Sequence, residues 1–193
     1  MLIKKILIAF IFITSSGFSQ VEDTTYSLTT EIGLGYSRYF TTMDYSDLNK
    51  SGFSGTLRIM WNPEHLLSIG LETGYQYLYS IDVKNIQTEF GPSDFSASMV
   101  SVPIFIAIAM KLTPNIKLIG GSGTYLLFNN GNLFGDKLKS SQISIGAYAG
   151  IVYLYPLSNR ISIGGELQYS YYSKIQDQTS ALQFYFVYKF LEW

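Results

Sequence analysis

The 193-residue sequence predicts an all-β protein, an eight-stranded antiparallel up-and-down transmembrane β-barrel. Three observations carry that prediction. Apolar and polar residues alternate with period two in one segment after another, as strands with one apolar face require. The connections between these segments alternate between tight turns and long polar stretches. Every charge within the clearly alternating segments falls on the small, polar face. Composition agrees: charged residues make up 14% of the chain, well below the ~25% of a typical soluble domain. Aromatics reach 16%, with sixteen Tyr beside seventeen Gly, a balance that leans to β structure.

The chain opens with "MLIKKILIAFIFITSSGFSQ", which reads as a cleaved secretory signal rather than part of the fold. Lys4 and Lys5 form a basic start, and Ile6 to Ile13 an apolar core of eight residues. Gly17 and Ser19 supply the small residues that precede cleavage before Gln20. Eight apolar residues fall far short of the ~20 that a membrane-spanning helix needs. Residues 1–19 carry two lysines and no acid, so their removal takes the net charge from −1 to −3. The mature domain is then 20–193, exported and without a single cysteine to cross-link it.

Strand by strand the alternation is plain. In "YSLTTEIGLGY" the apolar side holds Tyr26, Leu28, Ile32, Leu34 and Tyr36, and the other side Glu31, Gly33 and Gly35. "FSGTLRIMW" sets Phe53, Leu57, Ile59 and Trp61 against Ser54, Thr56 and Arg58. "LSIGLETGYQYLY" opposes Leu67, Ile69, Leu71 and Tyr75 to Ser68, Gly70, Glu72 and Gln76. The fourth segment, "SVPIFIAIAMK", puts Val102, Ile104, Ile106, Ile108 and Met110 on one side and Ser101, Phe105, Ala107, Ala109 and Lys111 on the other. Its Pro103 has no N–H for a closed ladder, so a bulge or ladder gap is expected there.

The fifth segment, residues 116–128, has no clear facing. Its glycines and Lys117 suit the polar side, but Ile119, Tyr125 and Leu127 share their parity. "ISIGAYAGIVYLY", "ISIGGELQYSYY" and "LQFYFVYKF" complete the eight, with Glu166 and Lys189 on the polar sides of the last two. "NPEH", "TPN" and "PLSNR" are tight turns, whereas residues 37–52, roughly 80–98 and 129–141 read as long polar loops. That asymmetry is the habit of barrels in an outer membrane, with the termini and short turns on the periplasmic side.

The charges decide which face meets lipid. Glu31, Arg58, Glu72, Lys111, Glu166 and Lys189 all lie on the small-and-polar face. As a soluble exterior they would be sparse cover; as a lumen lining they bring three acids to three bases where only small side chains fit. An Arg or Lys facing lipid at the midplane costs about 2–4 kcal/mol. Aromatic residues such as Tyr36, Trp61, Tyr79, Tyr155 and Phe190 gather near strand ends, where membrane barrels carry their girdles.

The signal ending "GFSQ", the strand "SVPIFIAIAMKL" and the later glycine-bearing strands resemble the outer-membrane β-barrel proteins of Bacteroidetes, and most nearly their PorT-like group. The shared mark is Val102-Pro103-Ile104 followed by Lys111. The resemblance implies an outer-membrane barrel and no single activity. One departure is the C-terminus, where "LEW" follows Phe190, and Trp193 has the opposite parity, so either residue is a candidate for recognition by the barrel assembly machinery.

The six lumen charges are the candidate site residues, read as a paired network that plugs a narrow barrel, with a small gated pore as the alternative. A lipid-modifying enzyme is disfavoured: the sole histidine, His65, falls in the "NPEH" turn on the periplasmic side, so Ser-His chemistry has no base at the outer rim. Asp44, Asp47, Asp82 and Asp94 do not have the spacing of a calcium loop. Neither cofactor nor metal is therefore expected. The expected partners are outer-membrane lipid, the assembly machinery, and a surface ligand or protein met through the long loops. No basic block suggests nucleic acid.

Overall fold

The structure, a computed structural model, describes residues 26–42, 48–63, 66–88, 91–133 and 136–193. The segment 1–19, Asp44, Asp47 and His65 lie outside the described residues. The chain forms one antiparallel sheet closed on itself. Its elements are β1 (Ser27–Phe40), β2 (Leu48–Asn49), β3 (Ser51–Asn62), β4 (Leu67–Thr88), β5 (Gly91–Lys111), β6 (Ile116–Leu133), β7 (Asp136–Pro156), β8 (Ile161–Tyr172) and β9 (Asp177–Glu192). β2 is a two-residue piece against β4, separated from β3 by Lys50. The barrel therefore has eight staves, each hydrogen-bonded to its sequence neighbours, with β1 against β9 closing the ring.

The alternation of the sequence becomes the inside and outside of this ring. Leu34, Tyr36, Leu71, Ile104, Ile145, Leu182 and Phe184 are exposed on the outer surface. A water-soluble protein could not carry such a continuous apolar belt, whereas hydrocarbon is its proper solvent. In β6 the odd residues are the inward ones, so Ile119, Tyr125 and Leu127 are buried in the lumen. The outward side of β6 is correspondingly weak in apolar bulk, with Gly120, Ser122 and Thr124 in sequence. That is why no facing was legible there.

Two of the three expected long loops are not loops. β4 and β5 continue as a paired hairpin to Thr88 and Gly91, and β6 and β7 to Leu133 and Asp136. These extensions have polar residues on both faces, so the apolar period vanishes although the backbone ladder continues. On the other side of the barrel β8 ends at Tyr172, and β7 pairs with it only from Gly146. A four-stranded wall from β4 to β7 thus stands above one side of the rim. At its base Ser173 N–H donates to the Ile145 carbonyl at 2.9 Å, and Lys174 N–H to Ser144 Oγ at 3.1 Å. The turn that makes these bonds ends on Gln176, held in the left-handed region at φ 57°.

Pro103 leaves a gap in the ladder. β4 and β5 pair up to Thr73↔Ile104 and resume at Gln76↔Ser101 with no change of register. The β6 side of Pro103 is unbroken, opposite Tyr125. A second irregularity accounts for the C-terminus. Leu28 pairs with Leu191 but Thr29 with Lys189, so Phe190 is an extra residue in a bulge. The bulge reverses the parity beyond it, and Phe190, Leu191 and Trp193 are all exposed. Trp193 stacks on Tyr26, which stacks in turn on Trp61, at 6.1 and 6.4 Å between ring centres.

Candidate functional site

The lumen is filled in layers. At the turn end, Met60, Ala107, Ala109, Ile119, Val152, Leu154 and Val187 pack as an apolar floor. Beneath it Asn62 Nδ2 donates to Thr29 Oγ1 at 3.1 Å. The charges lie above the floor, and a layer of tyrosines and glutamines lies above them.

Arg58 is the centre of the charged layer and is 0% exposed. Register places it directly opposite Glu31 on β1 and Glu72 on β4, so three neighbouring staves present one row of charge. Its Nε donates to Glu72 Oε2 at 2.7 Å, and its Nη1 to Glu31 Oε2 at 3.1 Å. Glu166 reaches from β8 and takes both Nη1 and Nη2, at 3.3 and 3.2 Å. Every guanidinium nitrogen is engaged, as a buried arginine demands. The rings of Tyr185 and Tyr148 cover the guanidinium at 5.4 and 5.8 Å from their centres. Gln168 Nε2 adds a longer bond to Glu72 Oε1, 3.4 Å.

The fifth charge is Lys117 on β6, whose Nζ is 3.5 Å from Glu31 Oε1. Sequence reasoning placed Lys117 in the segment without a clear facing and so left it out of the network. Two residues it did include stand elsewhere. Lys189 lies opposite Thr29, two positions toward the terminus from the Glu31–Val187 pair, and its Nζ pairs with Glu192 at 2.8 Å. Glu166 sits opposite Gln183, too far along β9 for Lys189 to meet it. Lys111 is exposed where β5 ends, at the edge of the turn that leads to β6. The correction is one of height: strand adjacency is right, but both lysines lie at the rim below the charged layer.

A second correction concerns bulk. The lumen takes large rings as well as small side chains, with Phe105, Tyr125, Tyr148, Tyr172 and Tyr185 all buried in it. Inward glycines make the room. Gly33 faces Tyr185, Gly121 faces Tyr148, and Gly123 faces Phe105 across their ladders. A Cβ at any of the three would overlap the ring opposite. The upper layer is polar and joined: Tyr172 donates to Gln76 Oε1 at 2.6 Å, and Gln76 Nε2 to Thr179 Oγ1 at 2.9 Å. Near the rim Tyr39 donates to Asp177 and stacks on Tyr79.

Asp82 is exposed on β4, and Asp94 belongs to β5. Among the described residues no group of three His, Asp or Glu side chains is arranged to hold a metal.

The family profile described as "Outer membrane protein beta-barrel domain" matches residues 6–190. No curated protein matches the sequence. Several solved structures share the fold. A major outer membrane protein from Thermus thermophilus aligns with a TM-score of 0.57 at 16% identity, covering 86% of this chain and 99% of its own. Ail, the attachment invasion locus protein of Yersinia pestis, aligns with a TM-score of 0.54 at 16% identity, covering 88% and 100%. Neisserial surface protein A aligns with a TM-score of 0.52 at 13% identity, covering 86% and 99%.

Proposed function

The chain belongs to the outer membrane protein beta-barrel domain family, and on that premise we propose a structural or surface-interaction role for a barrel whose lumen is plugged. The observation that carries the reading is the buried Arg58, held by carboxylates from β1, β4 and β8 above a floor of packed apolar side chains. A pore needs a continuous polar path, and eight staves leave an interior only wide enough for side chains. We read the chain as non-enzymatic, since its sole histidine, His65, falls in the "NPEH" segment that the sequence reads as a turn on the periplasmic side. Export by the 1–19 signal belongs to this reading, as does recognition of Phe190 or Trp193 by the assembly machinery. So does the finer kinship with the PorT-like group, which the Val102-Pro103-Ile104 and Lys111 pattern supports.

The wall of β4 to β7 is where an outer partner would be met. It carries two paired hairpins beyond the apolar belt, a favourable setting for recognition. Of the barrels that share the fold, Ail has been solved with the heparin analogue sucrose octasulfate. Trimming the two hairpins back to Ile81–Ala97 and Phe128–Ser141 and assaying partner capture on whole cells tests the proposal. The full chain is expected to retain a partner that the trimmed chain loses. Equal capture by both would remove the surface role.

A further inference from the structure

The charged layer holds more acid than base. Glu31, Glu72 and Glu166 face one guanidinium, Arg58, and one ammonium, Lys117. The three carboxylates are all buried. The remaining staves bring neutral rings to this level, Phe105 from β5, Tyr148 from β7 and Tyr185 from β9. Lys111 and Lys189 stand below, at the rim, where Lys189 pairs with Glu192. Were every group ionised, the layer would carry a surplus negative charge, and surplus charge away from water is expensive.

The three acids do not share the two cations equally. Glu31 meets both, Arg58 at 3.1 Å and Lys117 at 3.5 Å. Glu72 makes the closest pair, at 2.7 Å to Nε and 2.6 Å to Nη2, and takes the Gln168 amide as well. Glu166 meets Arg58 alone, at 3.2 and 3.3 Å, the longest of the guanidinium's bonds to carboxylate. It is also the most deeply buried of the three, at 0% exposure. The carboxylate with the fewest and weakest partners is the one whose negative charge costs most.

We propose that the folded barrel holds one proton in this layer at neutral pH, on the carboxyl of Glu166, and returns it to solvent on unfolding. The carboxylates of Glu31 and Glu72 then balance Arg58 and Lys117. Folding takes up a proton, so the unfolded state binds fewer, and stability falls as pH rises above the carboxylate range. At the acid end the ion pairs of Glu31 and Glu72 are lost in their turn, which sets a mildly acidic optimum. The inference rests on the plugged lumen proposed above. Conductance tests the plug, whereas the state of the carboxyl is read separately.

The test is infrared spectroscopy of the full mature chain, refolded in a detergent that contains no carbonyl group. At neutral pH the wild type is expected to show the stretching band of a protonated carboxyl, shifted in deuterium oxide. Glu166→Gln should lose the band and Glu192→Gln, at the rim, should keep it. A wild type without the band would overturn the proposal, and that result needs no variant to fold. Urea titrations at a series of pH values give the second readout, with heat-modifiable gel mobility confirming that each variant is folded. Relative to Glu166→Gln, the unfolding constant of the wild type should rise about tenfold for each pH unit through neutrality. Parallel profiles would overturn the linkage. At alkaline pH Glu72→Gln should unfold at lower urea than Glu166→Gln, and the reverse order would overturn the assignment to Glu166.

Discussion

Arg58 has no conservative replacement in this lumen. Arg58→Met would leave three carboxylates facing one another with only Lys117 to offset them, and we expect it to lower the unfolding free energy by about 3–5 kcal/mol. Glu31→Gln removes a bridge between Arg58 and Lys117 and should cost about 1–3 kcal/mol. Urea titrations of the micelle-refolded proteins measure both. Gly33 makes a different prediction. An added methyl there meets first the flexible end of Gln183 and the fixed Tyr185 ring, so Gly33→Ala should cost about 1–3 kcal/mol, and Tyr185→Ala should remove most of that cost in a double-mutant cycle. If the two substitutions are additive, glycine is not there to seat the ring. The acids and the arginine were legible because a charge on an alternating strand can have only one side. Lys117 was not, because its own strand lacked an apolar face, and Lys189 was misplaced because parity gives a side and no height. The inward tyrosines left a fainter signal, in that Tyr148 and Tyr185 have inward parity and stand opposite glycines.

The strands were legible wherever lipid imposes a period on them, and their ends were not. Past the apolar belt the sequences of β4 to β7 place polar residues on both parities, so the residues cease to alternate although the ladder runs on to Thr88 and Leu133. Their polar character was therefore read as loop. Pro103 was the opposite case, since a residue without an N–H marks its own gap. The account predicts that the gap is chemical and not geometric, because the register is the same on both sides of it. In Pro103→Val the new amide should find the Gly74 carbonyl and exchange with deuterium as slowly as the amides of Ser101 and Phe105. Rapid exchange at position 103 would mean that the staves are parted there for another reason.

The molecule as a whole is a barrel turned inside out relative to a soluble one, with most of its large aliphatic residues on the outer wall and the Arg58 cluster buried within. Alternation establishes two faces, and the distribution of six charges decides which face is which. What alternation does not show is how completely the inside is filled, since that depends on side chains from opposite staves meeting across the lumen. The apolar floor, the Arg58 cluster and the tyrosine layer close the barrel in series, so loss of one layer should not open it. Glu31→Gln should therefore weaken the fold and still carry no current. The direct measurement is the conductance of the purified wild-type barrel in planar lipid bilayers. The account predicts a membrane that stays silent at moderate voltage, and large, steady single-channel currents from the wild type would contradict it.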